Sequence, residues 1–190
     1  MMSRPAAEED PGWKPVIRLL PTLVIPFLGM RTMTMQNSGL QATRLLWLVF
    51  VNAIVVIWIP VVALAATGGA PVSIPTGVVV TAVIGVTLLI TAPRFVPDPD
   101  GSSAVELARS FQRSILVRIG FAQAAAAAGF VCFLLTGSWI VYGTGFVIAS
   151  WGMWLAAPRA PRLDVIQAEI AAAGSDLDLI RVLNTTRLTR

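Results

Sequence analysis

Residues 45–93 read LLWLVFVNAIVVIWIPVVALAATGGAPVSIPTGVVVTAVIGVTLLITAP, and residues 119–158 read IGFAQAAAAAGFVCFLLTGSWIVYGTGFVIASWGMWLAAP. Neither stretch contains a charged side chain. All 14 Lys and Arg and all 10 Asp and Glu fall in residues 1–44, 94–118 and 159–190. A helix that crosses a bilayer needs about 20 apolar residues, so each stretch holds two helices and a turn. Glycine and proline mark the turns, at 68–75 and at Gly137-Ser138. The pattern predicts an all-α integral membrane protein with four transmembrane helices arranged as two hairpins. The expected spans are about 45–67, 76–92, 119–136 and 139–157.

Charge also predicts the topology. Five basic residues precede residue 45, four lie in 94–118, five follow residue 157, and the two turns carry none. By the positive-inside rule both termini are expected in the cytoplasm, with the protein multi-pass in the inner (plasma) membrane. The expected organisation is a cytoplasmic tail and Pro-rich interfacial segment (1–44), a four-helix bundle (45–157) and a cytoplasmic amphipathic helical tail (158–190).

Composition agrees. Of 190 residues, 56% are hydrophobic and 13% charged, with mean hydropathy +0.77; soluble domains carry about 25% charged residues. Net charge is +4, and every basic residue except Lys14 is Arg. That bias, with abundant Ala, Val, Gly and Pro, suggests a GC-rich, actinobacterial genome. Arg clusters beside apolar spans are explained by topology and anionic lipid, and no basic, aromatic-interleaved domain stands outside the spans to bind nucleic acid. The acidic, Pro-containing start lacks the pattern of a cleaved signal peptide, so the first span is expected to stay as an anchor. Cys132 is the lone cysteine; it forms no intramolecular disulfide and suits a small buried position.

Outside the spans, residues 13–30 are apolar but broken by Arg18, Pro21 and Pro26. The charge-free part is too short to span, so an interfacial or re-entrant segment is expected, serving as an anchor or as a docking element. Residues 31–44, polar with a central Gly39, read as a cytoplasmic turn. Pro60 predicts a kink in the first span. Ser103 and Glu106 have capping-box spacing and predict a helix running through Arg109 and Arg113 into the third span. Leu163, Ile166 and Ile170 share a helical face, Gly174 stops that helix, and Ser175 with Asp178 can cap a second one carrying Leu179, Ile180 and Leu183. Ala92-Pro93-Arg94 recurs as Ala157-Pro158-Arg159, and at the same offset Arg44 matches Arg109, a faint internal repeat of parallel hairpins.

Most chemistry is excluded. There is no His, no phosphate loop and no charged residue inside a span, so catalysis, metal or cofactor binding and proton carriage are not expected. A c-subunit-like hairpin would need a carboxylate in 139–157, which has none. The protein is therefore expected not to be an enzyme and to bind no cofactor. Intramembrane polar groups include Asn52 and Gln123, suited to interhelical hydrogen bonds or, alternatively, to substrate contact. Small residues repeat every four positions: Gly77, Thr81 and Gly85; Gly120, Ala124 and Ala128; Gly145 and Ala149. Such stripes let helices approach closely, within the bundle or against a partner's spans. Trp13, Trp47, Trp139 and Trp154 read as interface anchors, and Trp58 and Trp151 as interior. Arg109, Arg113 and Arg118 are candidate lipid head-group contacts.

Residues 18–47, RLLPTLVIPFLGMRTMTMQNSGLQATRLLW, followed by two short-turn hairpins, resemble small membrane proteins of mycobacteria and their relatives, in particular four-span accessory subunits of the LucB type in Mce lipid importers. The resemblance implies a non-catalytic subunit beside the permease and ATPase of a cell-envelope lipid transporter, and carries over no individual residue. The leading expectation is a non-enzymatic accessory subunit of a multiprotein envelope complex, most simply a Mce-type lipid or fatty acid import system, acting by docking and stabilisation. Two alternatives stand: a small homo-oligomeric transporter of apolar solutes, with Asn52 and Gln123 lining a cavity, and an accessory subunit of a respiratory supercomplex.

Overall fold

The computed structural model describes residues 12–17, 39–65 and 72–185. It is all-helical, with no strand among the described residues. Four helical stretches are long and apolar enough to cross a membrane: Gly39–Ala65, Ile74–Phe95, Ala104–Thr136 and Trp139–Ala156. A short α1, Lys14–Ile17, precedes them. Most of the segment 13–30 and the turn at 31–38 lie outside the described residues.

The first stretch begins earlier than the sequence predicts. Gly39 opens α2, Gly39–Val56, rather than sitting in a turn, and the polar residues up to Arg44 are already helical. The stretch breaks at Ile57 and resumes as α3, Trp58–Ala65. Pro60 explains the break: it has no N–H for the carbonyl one turn back and its ring crowds that carbonyl. Helix α4, Ile74–Thr91, carries Pro75 in its first turn, where a missing N–H costs little. It tightens into a 3-10 turn, Ala92–Phe95.

Helix α5, Ala104–Thr136, is continuous over 33 residues. The Ser103 hydroxyl accepts the Glu106 N–H at 3.2 Å, while the Glu106 carboxylate pairs with Arg109. Gly137, at φ 64°, turns the chain into α6, Trp139–Ala156, which stops before Pro158. Helix α7, Ala160–Ala172, ends in a Schellman motif. Gly174 takes φ 81°, its N–H reaches the Ala171 carbonyl, and the Ser175 N–H reaches Ile170. Helix α8, Leu179–Thr185, is capped by Asp178, whose Oδ1 accepts the Ile180 and Arg181 N–H groups. Ser175 is not part of that cap; its hydroxyl donates to the Gly101 carbonyl at 3.1 Å.

The described residues form two compact units. One gathers those of 1–49, 97–114 and 158–190; the other gathers those of 50–96 and 115–157. In the first unit, α7 and α8 pack through buried Leu163, Ile170, Leu179, Val182 and Leu183. Gln167 joins their ends, donating to the Leu177 carbonyl and accepting the Leu179 N–H.

The second unit is a helical bundle in which α4, α5 and α6 meet through small residues. Helices α4 and α6 run parallel: Gly77 meets Val141, Gly85 meets Ile148, and Gly152 meets Leu89. Facing positions stay about 63 apart, close to the 65-residue offset of the Ala-Pro-Arg repeat. Helix α5 runs antiparallel to both, with Thr136 at Gly77, Gly129 at Gly145, Ala125 at Gly85 and Ala122 at Gly152.

Candidate functional site

Helices α5 and α6 meet backbone to backbone at Gly129 and Gly145. A methyl group built on Gly129 would stand 2.9 Å from the Gly145 Cα, and one on Gly145 would stand 3.1 Å from the Ala125 carbonyl oxygen. The obstacles are backbone atoms, so neither position has a side chain that can yield. Thr81 of α4 completes this layer, its Cγ2 3.5 Å from the same point on Gly129. Thr81 is fully buried, and its hydroxyl has no hydrogen-bond partner. By contrast Thr43, Thr91, Thr136, Thr144 and Thr185 each donate to the carbonyl one turn back.

The small-residue stripes separate into two kinds. Gly77, Thr81 and Gly85 on α4 are buried, as are Gly145 and Ala149 on α6. The Gly120, Ala124, Ala128 stripe of α5 faces another way. Gly120 is exposed, a methyl group there would meet nothing within 4 Å, and Ala124 and Ala128 are half-buried. The inward positions of α5 are Ala122, Ala125, Ala126 and Gly129. In the run QAAAAAG every position is small, so sequence spacing alone does not orient the helix.

Gln123 and Tyr142 tie the first span to the others by hydrogen bonds. Gln123 of α5 donates to the Phe50 carbonyl at 2.7 Å, and Tyr142 of α6 donates to the Ile54 carbonyl at 2.8 Å. Phe50 and Ile54 are four residues apart, hence on one face of α2. Asn52 lies half-buried between them in sequence. Above Ile54, Trp58 packs edge-on against Tyr142 at 5.0 Å and Phe146 at 5.7 Å, beside buried Val61 and Phe133.

The proposed head-group contacts differ in setting. Arg109 and Arg113 are exposed on the first turns of α5, and Arg118 is half-buried. Nearby, hydrogen bonds from the Ser102 hydroxyl and then its N–H hold the Asp100 carboxyl below its ordinary value.

One residue stands out that the charge pattern did not single out. Arg44 is fully buried. Its Nη1 donates to the Gly12 carbonyl at 2.8 Å, Nε and Nη2 donate to the Pro158 carbonyl at 3.4 Å, and its guanidinium lies 5.2 Å from the Trp13 ring centre. Trp13 in turn meets Trp47 edge-on at 5.3 Å. Arg109, its match in the repeat, is exposed, so the two positions have different roles. Trp151 also differs from expectation: it is 62% exposed, because Gly145, Ala149 and Gly152 occupy the inward face of α6.

The described residues contain no group of His, Cys, Asp and Glu able to hold a metal ion. No protein-family model, curated protein or solved structure matches the chain.

Proposed function

We propose that the protein is a non-catalytic accessory subunit of a multiprotein complex in the inner membrane, with both termini cytoplasmic, that docks against the spans of larger subunits and stabilises them. The observation that carries this reading is the division of small-residue faces. The stripes of α4 and α6 are consumed inside the bundle, whereas Gly120 leaves an open notch on α5 where another helix can approach closely. The charge-free stretches 45–93 and 119–158 support a role without chemistry or ion passage. Exposed Arg109 and Arg113 suit anionic head groups. The resemblance of residues 18–47 favours a Mce-type lipid importer as host, with its permease and ATPase as the partners.

The test is purification of the tagged protein from its native membrane in mild detergent, followed by mass spectrometry. Stoichiometric recovery of permease and ATPase chains, lost in a Gly120→Leu variant, is the expected result. Recovery of a monodisperse free monomer would remove the accessory reading.

A further inference from the structure

We propose that the outward side of the break between α2 and α3 receives a span of a partner protein, which places a hydroxyl or carboxamide donor against the Val56 carbonyl. A helix that ends leaves the carbonyls of its last turn without intrahelical donors. Helix α2 ends at Val56, and the chain resumes as α3 at Trp58. The Ala53 carbonyl accepts the Ile57 N–H at 3.3 Å, and the Ile54 carbonyl accepts the Tyr142 hydroxyl at 2.8 Å. The regular donor to Val56 would be the N–H four residues on, but that residue is Pro60, which has none. The N–H that follows, of Val61, goes to the Ile57 carbonyl at 3.3 Å. A side chain that serves a carbonyl of its own helix stands three or four positions further on. Those positions are Ile59 and Pro60, whose side chains carry no donor.

Depth makes this carbonyl costly. Val56 is the twelfth of the uncharged residues that follow Arg44. At 1.5 Å per residue it lies about 16 Å into the span, near the middle of a hydrocarbon core about 30 Å thick. Acyl chains hold no donor, and a peptide carbonyl left unserved in hydrocarbon is strongly disfavoured. The carbonyl also lies on the outer side of the break. Ile54 and Val61 are buried towards Tyr142 and Phe133, whereas Val56 stands about 200° from Ile54 around the helix. Val56 is 47% exposed and Ile59 70%. Pro60 and Ala63 are exposed as well. Ala63 follows Val56 by two turns on the same side, and its small side chain lets another helix come close.

The chemistry of the occupant follows. Lipid tails satisfy an apolar face, but they do not satisfy a main-chain acceptor. On the inner side of the first span, Gln123 and Tyr142 reach from α5 and α6 to the carbonyls of Phe50 and Ile54. A partner's span carrying Ser, Thr, Asn or Gln does the same from the outer side. A Lys or Arg would donate too, but at this depth its charge costs more than the bond returns. The inference rests on the accessory-subunit reading and names the chemistry that the partner brings to it.

The experiment places the photocrosslinker benzoylphenylalanine at Ile59 of the tagged full-length protein in its native membrane and maps the crosslinked residue by mass spectrometry. The expected product joins Ile59 to an apolar span of another protein, within one turn of a Ser, Thr, Asn or Gln. A product with lipid, with a second copy of this chain, or with a span lacking such a donor overturns the proposal. Pro60→Ala gives the second reading, because it returns an N–H to the Val56 carbonyl. This variant should resist detergent unfolding at least as well as the parent, while recovery of the partner falls about fivefold, the effect of one hydrogen bond. Replacing the partner's donor by an apolar residue of similar shape should lower recovery as much beside Pro60, and no further beside Pro60→Ala. Undiminished recovery with Pro60→Ala overturns this inference alone. Recovery of the unaltered protein by itself overturns the accessory reading with it. The partner's variant leaves this chain unaltered, so it decides even if Pro60→Ala misfolds.

Discussion

Gly129 of α5 and Gly145 of α6 meet backbone to backbone, each occupying the space that the other's Cβ would need. Overpacking a tight interior contact costs about 1–3 kcal/mol even where side chains can shift, and here the opposing atoms are main chain. Gly145→Leu and Gly129→Leu should each lower stability by at least about 3 kcal/mol, read as the loss of folded protein in a detergent unfolding titration. Gly120→Leu, on the same helix as Gly129, should leave that titration unchanged. Equal damage from all three would show that the outward assignment of Gly120 is wrong.

The two carbonyl rungs at Phe50 and Ile54 make a graded prediction. Interhelical hydrogen bonds in membranes contribute about 0.6–1.7 kcal/mol each. Tyr142→Phe removes only the hydroxyl and should cost about 1 kcal/mol. Gln123→Leu should cost a similar amount, and the double variant should cost their sum if the rungs are independent. A double variant that loses far more would reveal that the first span detaches once both bonds are gone, which crosslinking between α2 and α5 would register.

Arg44 tests geometry against charge. Its planar fork serves two carbonyls while its face rests on Trp13. Lysine keeps the charge but lacks the fork, so Arg44→Lys should recover little of the stability lost in Arg44→Ala. That loss is expected at about 2–3 kcal/mol, the scale of hydrogen bonds from a charged group. Proteolysis of the N-terminal segment should quicken in both variants. Full rescue by lysine would mean that charge alone matters.

Thr81 predicts a substitution in the other direction. Its hydroxyl is buried without a partner, so valine, which keeps the shape, removes an uncompensated polar atom. Thr81→Val should be neutral or stabilising by about 1 kcal/mol. Thr136→Val, which gives up the bond to the Cys132 carbonyl, should not be stabilising. A destabilised Thr81→Val protein would point to a hydrogen bond formed in the membrane.

The sequence was most legible where one physical cost dominates. Burying a charge in hydrocarbon is expensive, so the charge-free stretches located four long helices, and Pro60 marked the break at Ile57. Gly174 announced a helix end because few other residues accept a positive φ. Legibility failed where that cost gave no contrast. The alanine run of α5 has no polar side to set its rotation, so the inward positions emerged only from its neighbours. Arg44 looked like any other basic residue beside a span, because its acceptors are main-chain carbonyls, which leave no mark in a sequence. Trp151 looked interior because hydropathy does not tell an exposed ring from a buried one.

Arg44 and Pro158 are separated by 114 positions, which gives their contact a meaning in time. At about 5–20 residues per second of synthesis, the Pro158 carbonyl is made roughly 6–23 seconds after the arginine that will hold it. During that interval Nε and Nη2, which will donate to Pro158, have to rely on other acceptors, such as water or lipid phosphates. A nascent chain cut short before residue 158 never gains this acceptor. The contact therefore distinguishes a chain that has passed residue 158 from one that has not, and products cut short before it should be the first that membrane quality-control proteases clear.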